Sequence, residues 1–201
     1  MSAAAYTSYG ILRGTDENGL HVFRGIPFAA PPVGPLRFRP PRKPAAWSGE
    51  RDATRFGPGS YQANRPLAPM LGIVVPEQSE DCLYLNVWTP AADGAGRPVM
   101  VWVHGGAWVV GAGSEVAYDG SSLARRGDVV VVTVNYRLGA FGYLRGLDLP
   151  GGALDTSGNE AMLDLVAALE WVRDEIAAFG GDPASVTVMG ESAGSVTPPV
   201  C

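Results

Sequence analysis

The sequence predicts an α/β protein with a mostly parallel sheet, and three observations carry that expectation. First, three short runs are apolar on both faces: Val99-Met100-Val101-Trp102-Val103, Val129-Val130-Val131-Val132-Thr133-Val134 and Val186-Thr187-Val188-Met189. Strands buried between two layers of helix have this texture, whereas a half-exposed strand alternates. The branched valine side chain favours strand over helix in each run. Second, Met162, Val166, Leu169, Val172, Ile176 and Phe179 recur at steps of three and four. That spacing predicts a helix over about Asn159–Phe179 with this stripe against the core. Ser157 or Asn159 is placed to cap its first amides, and Gly180-Gly181 suits a left-handed exit before Asp182-Pro183 turns the chain. Third, the order strand, helix, strand is that of a parallel crossover.

The N-terminal part reads as shorter pieces. Tyr9–Arg13 and His21–Ile26 flank the polar turn Thr15-Asp16-Glu17-Asn18-Gly19, which predicts a hairpin. Pro27 to Pro44 holds seven prolines, so this stretch runs as extended or turning coil with few backbone donors. Gly57 to Glu80, with Pro58, Pro66, Pro69 and Pro76, reads as another loop, and Leu83–Trp88 as a strand.

Composition narrows the function. Of 201 residues, 46% are hydrophobic, enough to bury a core. The net charge is −5, with 15 basic against 20 acidic residues and no basic cluster, which argues against a nucleic-acid partner. No apolar run approaches the ~18 residues of a membrane span. The start, Met1-Ser2-Ala3-Ala4-Ala5-Tyr6, has neither a basic nor a long apolar region, so no signal peptide is expected and a cytoplasmic location is. Cys82 and Cys201 are too few for a disulfide framework or a zinc cluster, and neither His21 nor His104 has an acid or cysteine at ligand spacing. No metal or cofactor is expected.

The chemistry sits in two motifs. Val186–Met189 runs into Gly190-Glu191-Ser192-Ala193-Gly194, a G-x-S-x-G sequence after a strand. A serine nucleophile needs a sharp strand-to-helix turn, where side chains at Gly190 and Gly194 would clash. The Ala193 amide, at a helix start, then points at a developing oxyanion. Val99–Val103 ends in His104-Gly105-Gly106, whose bare amides can supply the other half of that oxyanion hole. His104 is expected to brace this loop rather than transfer protons.

With these motifs in hand, the chain resembles the type-B carboxylesterase/cholinesterase family of α/β-hydrolases. Phe23-Arg24-Gly25-Ile26-Pro27-Phe28-Ala29 through Pro35-Leu36-Arg37-Phe38 is similar to the family's N-terminal signature, and Ser79-Glu80-Asp81-Cys82-Leu83-Tyr84-Leu85-Asn86-Val87-Trp88 to its second. Asn135-Tyr136-Arg137-Leu138-Gly139 and Phe179-Gly180-Gly181-Asp182-Pro183 also match in order. The resemblance implies one incomplete domain over 1–201: a small antiparallel N-terminal sheet, then the first strands of the central sheet, ending just past the nucleophile elbow. It implies ester hydrolysis through an acyl-enzyme, with Ser192 as nucleophile, Gly105, Gly106 and Ala193 as oxyanion donors, and Glu191 and His104 in support. It also implies a structural ion pair between Glu80 and Arg137.

Departures from the family pattern sharpen these expectations. Ser60 stands where disulfide-bearing members place a cysteine, so Cys82 is expected to be a free, buried thiol. No tryptophan lies between Gln62 and Cys82, which argues against choline esters, whose ammonium needs an aromatic face. Trp108 and the loop Gly111–Tyr118 are expected to line one side of the pocket. In this superfamily the acid and histidine follow the serine. Ala193 to Cys201 contains neither, and Val196 to Cys201 matches nothing in the family pattern. The chain alone is therefore expected to be inactive, its partners being a small ester substrate and a possible complementing C-terminal chain. The alternative is a non-catalytic binding or adhesion module on the same fold, against which the intact Ser192 argues.

Overall fold

The computed structural model describes residues 2–63, 77–146 and 156–196. Much of the predicted loop Gly57–Glu80, and Cys201, lie outside the described residues. The strands are β1 (Ser2–Thr7), β2 (Gly10–Asp16), β3 (His21–Pro27), β4 (Glu50–Asp52), β5 (Tyr84–Thr89), β6 (Arg97–Val103), β7 (Val130–Val134) and β8 (Gly181–Gly190). The helices are α1 (Ser121–Gly127), α2 (Gly139–Tyr143), α3 (Glu160–Glu175) and α4 (Ala193–Val196). Among the described residues these strands form one sheet in the order β1-β2-β3-β5-β7-β6-β8, with β4 beside β2.

The three valine-rich runs are the parallel part: β6 lies between β7 and β8 and is parallel to both. The expected N-terminal antiparallel strands are present, and β3 pairs with β5, so they continue the central sheet. Asn18 and Gly19 close the β2–β3 hairpin at φ 57° and 77°, the left-handed pair a two-residue turn needs. The first strand, β1, has no counterpart in the predicted elements. Its alanines carry little strand preference, but it pairs along its whole length with β2 and buries Ala3 and Ala5.

Alternation along β7 sorts the core into two layers. Val130, Val132 and Val134 join the larger cluster, which includes Leu165, Trp171 and Phe179 from α3 and its 3₁₀ extension. Val131 points the other way, against Leu20, Val22, Trp88 and Ala124 of α1. Helices therefore cover both faces at β7, which is why its sequence does not alternate.

The long helix forms where predicted, and Val172, Ile176 and Phe179 of the expected stripe are buried, but its N-terminal half turns a different face inward. Ala161, Asp164, Leu165, Ala168, Trp171, Val172 and Glu175 are buried, while Met162, Val166 and Leu169 are only half-buried. Over that half the stripe is rotated by roughly one residue, about 100°. The cap also differs from expectation. Neither Ser157 nor Asn159 caps by a side-chain bond at the N-cap; instead the buried Glu160 carboxylate accepts from the amides of Ser157 (2.9 Å) and Gly158 (3.1 Å). Gly180 makes the left-handed exit at φ 79°.

Candidate active site

Because β6 and β8 are parallel neighbours, their C-terminal ends emerge side by side. In open α/β sheets this end of the strands is where ligands bind. Beyond β8, Ser192 sits at φ 52°, a left-handed conformation unusual for a residue with a side chain. A Cβ on Gly190 would strike the Gly194 carbonyl oxygen, and one on Gly194 the Val103 carbonyl oxygen. The glycines thus let the turn fold back onto β6. It is closed by the Gly194 amide on the Glu191 carbonyl (2.8 Å) and the Ser195 amide on the Ser192 carbonyl (2.9 Å). Ser192 and Glu191 are exposed, and Ala193, which opens α4, is buried.

The turn after β6 lies against this elbow. A Cβ on Gly105 would come 2.8 Å from the Glu191 carbonyl oxygen and 3.3 Å from Ser192 Cβ. Only glycine allows that approach. Gly106, Ala107 and Trp108 follow at φ 113°, 52° and 61°. Successive amides in such a turn form a concave anion site. Among the described residues no hydrogen bond engages the amides of Gly105, Gly106 or Ala107. Ala107 was not singled out by the motif, yet it belongs to the same turn.

Support for this turn is buried and extensive. His104 is 1% exposed, stacks on Tyr136 with ring centroids 4.5 Å apart, and donates from Nδ1 to the Gly105 carbonyl (2.8 Å). The Tyr136 hydroxyl donates to the His104 carbonyl (2.8 Å), and burial raises that hydroxyl's pKa. The Gly139 amide donates to the Trp108 carbonyl (2.7 Å). Gln62 exchanges two 3.0 Å bonds with the backbone of Gly111, as a strand neighbour would. Asn135 and Thr133 clasp the amide and carbonyl of Gly113 at 2.8 and 2.7 Å. These contacts hold His104 within the loop. Glu191 is held differently: among the described residues its carboxylate accepts one bond, from the Tyr118 hydroxyl at 3.2 Å. Tyr136 and Gln62 are not among the expected site residues, and Tyr118, which ends the loop expected to line the pocket, has a role at Glu191 that the sequence does not indicate.

The expected Glu80–Arg137 pair does not form. Arg137 is 2% exposed and turns inward to Asp164, itself 0% exposed, donating from Nε (2.8 Å), Nη2 (2.7 Å) and its backbone amide (3.1 Å). A desolvated guanidinium needs a counter-charge that is also desolvated, and Asp164 on α3 supplies it. Burial raises the Asp164 pKa, against the pull of these bonds from Arg137. Glu80 instead makes a bidentate pair with Arg37 of the proline-rich segment, at 2.5 and 2.7 Å. Cys82 is free and buried beside Ser60, and burial pushes its thiol up to about 12.

Comparison with known proteins agrees with this architecture. The profile of the carboxylesterase family matches residues 2–197. The chain belongs to the carboxylesterase family. It is 51% identical over 191 residues to the para-nitrobenzyl esterase of Bacillus subtilis, covering 95% of this chain and 38% of that protein. It is 49% identical to the fumonisin B1 esterase of Sphingopyxis macrogoltabida, covering 94% and 35%. A crystal structure of a Geobacillus stearothermophilus carboxylesterase superposes with a TM-score of 0.85 at 52% identity, covering 96% of this chain and 39% of that one. The chain thus spans well under half the length of these carboxylesterases.

Proposed function

We propose that the protein carrying this chain hydrolyses carboxylic esters through an acyl-enzyme on Ser192. The observation that carries the proposal is the exposed Ser192, held at φ 52°, with the Gly105 backbone against it. In this reading Ser192 Oγ attacks the ester carbonyl and its proton passes to a base. The carbonyl oxygen takes negative charge beside the amides of Gly105, Gly106 and Ala193, with Ala107 next in line. Collapse expels the alcohol, and water then releases the acid and restores the hydroxyl. Relatives named for ester hydrolysis support the same reading.

The base is the missing party. His21 accepts from the Ala92 amide at 3.3 Å, and His104 is occupied within its own loop. Losing the histidine of such a triad lowers turnover by about 10⁶-fold, leaving the ~10³–10⁴ over water that oxyanion donors and binding supply. We infer that the 201-residue chain alone acquires an acyl group slowly, if offered a reactive ester, and does not turn it over.

Hydrolysis of p-nitrophenyl acetate checks both statements. Beyond at most one slow equivalent of p-nitrophenol per chain, the chain alone is expected to match Ser192→Ala. Supplying a polypeptide that carries a carboxylic acid and a histidine, in cis or in trans, is expected to give turnover that Ser192→Ala abolishes. Turnover indifferent to Ser192→Ala would overturn the assignment.

A further inference from the structure

We propose that the tip of the β2–β3 hairpin is a self-modification site: the Gly19 nitrogen closes on the Asn18 side chain and converts it to aspartate and isoaspartate, with Asp16 as the latch that slows the reaction. The inference does not rest on the ester-hydrolase reading.

The reaction needs no co-reactant but water. The Gly19 nitrogen gives up its proton and bonds to Asn18 Cγ. The bond from Cγ to the side-chain nitrogen breaks, and that NH2 group leaves with the proton as ammonia. Water then opens the five-membered succinimide at either carbonyl. One opening gives aspartate at position 18. The other gives isoaspartate, in which the main chain runs through the former side chain and is one atom longer.

Three observations place this chemistry at the tip. First, the attacking nitrogen is uncrowded. Gly19 has no side chain to hinder the approach, and a Cβ built there meets nothing within 4 Å. It forms the only Asn-Gly pair in the sequence. Second, the Asn18 side chain is exposed, and among the described residues no hydrogen bond engages it. Asn86 and Asn135, by contrast, are buried with bonded side chains, and the exposed Asn159 precedes Glu160 rather than glycine.

Third, the proton that must leave is already held. The Gly19 amide donates to Asp16 Oδ1 at 2.8 Å. The nitrogen cannot keep that bond and close the ring, because both use the same proton. The residue before Asn18 is anchored separately: the Glu17 amide donates to the Leu20 carbonyl at 2.8 Å, the Glu17 carboxylate accepts from Arg24 at 2.6 Å, and the Glu17 carbonyl accepts from Arg125 at 3.0 Å. Releasing the latch therefore requires movement of the peptide between residues 18 and 19, with the hairpin otherwise in place. The outcome reaches the core. Isoaspartate cannot keep the left-handed pair at φ 57° and 77° that closes the turn, and Leu20 and Val22 enter the smaller core cluster directly after it.

Peptide mapping tests this on the full 201-residue chain, incubated in mildly alkaline buffer. The mass change from amide to acid locates the site, and methylation by an isoaspartyl methyltransferase counts isoaspartate. Asn18 is expected to convert ahead of Asn86, Asn135 and Asn159, with isoaspartate among its products. Asp16→Ala is expected to speed conversion about threefold to tenfold, the worth of one hydrogen bond. Asp16→Asn keeps an acceptor oxygen at that place in the turn and is expected to stay close to the wild type. It guards against an alanine variant that merely unfolds the hairpin. In concentrated urea, where the latch is gone, wild type and Asp16→Ala are expected to convert at one rate. Conversion at Asn18 no faster than at the other three asparagines overturns the site. A folded Asp16→Ala chain no faster than the wild type, or an equal speeding in urea, overturns the latch.

Discussion

At the end of β6, His104 is buried, stacked on Tyr136 and bonded through Nδ1, and the turn that follows is tied to Gly139, while Gln62 and Asn135 hold the chain just beyond it. One strand over, at the end of β8, Glu191 and Ser192 are exposed, and the only side chain bonded to Glu191 within the described residues is Tyr118. The two halves of one candidate site are therefore built differently. In the proposed reading the oxyanion half is preorganised by buried and half-buried groups drawn from distant parts of the chain. The nucleophile half relies on local geometry, namely glycines at 190 and 194 and the hydrogen bonds of the turn itself. Preorganised dipoles lower a barrier because they need not reorient during reaction, which explains fixing the donors most firmly. The nucleophile needs access, so its turn stays open to solvent.

The largest expected effect breaks the rigid half from behind. The segment between β7 and α2 supplies Tyr136 and Gly139 to the oxyanion turn, and Arg137 anchors that segment to Asp164. Asp164→Ala leaves a buried guanidinium without its counter-charge and is expected to cost about 3–5 kcal/mol in urea unfolding. Replacing both partners with apolar residues of similar volume, Arg137→Met with Asp164→Leu, is expected to recover most of that loss. Hydrogen exchange should speed at the Gly139 amide well before the Gly194 amide. Removing Glu80 from its solvent-exposed pair with Arg37 is expected to shift the melt by less than its error, because water already screens that pair.

The next effect compares the turns directly. Gly106→Ala sets a methyl against the Val110 carbonyl at φ 113° and is expected to destabilise by about 1–3 kcal/mol. Ser192→Gly relieves a left-handed serine and is expected to stabilise by up to about 1 kcal/mol. Paired urea titrations check the opposite signs. A shared sign would mean that the elbow is not where strain is stored.

How much of this was legible in the sequence follows from the range of the forces. Valine runs announce strands buried on both faces, and G-x-S-x-G and His104-Gly105-Gly106 announce turns whose steric demands are local. β1 was not legible, because alanines join a strand only when β2 offers its edge. The C-terminal half of the α3 stripe was legible, whereas the N-terminal half differs because Asp164 lies on the buried side, where a polar residue reads as solvent-facing. An aspartate among Ala161, Leu165 and Ala168 was the available signal for a buried ion pair. Tyr118, 73 residues from Glu191, and Gln62, 49 from Gly111, acquire their roles only when the sheet brings them together. No spacing rule reaches that far.

The smallest effect probes how tightly the rigid half is closed. Cys82 lies beside Ser60, whose hydroxyl accepts from the Leu138 amide at 3.0 Å, one residue before the Gly139 amide that holds the Trp108 carbonyl. Burial, with the nearby Asp164 charge, raises the thiol to about 12, while in the unfolded chain it returns to ~8.5. Between those values the native state holds a proton that the unfolded state has lost, so stability falls as pH rises above ~8.5. The loss is about 1 kcal/mol by pH 9. Urea titrations at pH 7 and pH 9 are expected to show that slope, and Cys82→Ser to flatten it. Native Cys82 should take up iodoacetamide only as fast as the chain opens, with peptide mapping to separate it from Cys201. If Cys82 reacts at the rate of a free thiol while Gly139 stays protected from exchange, the rigid half is not closed around Ser60 and the contrast between the two turns fails.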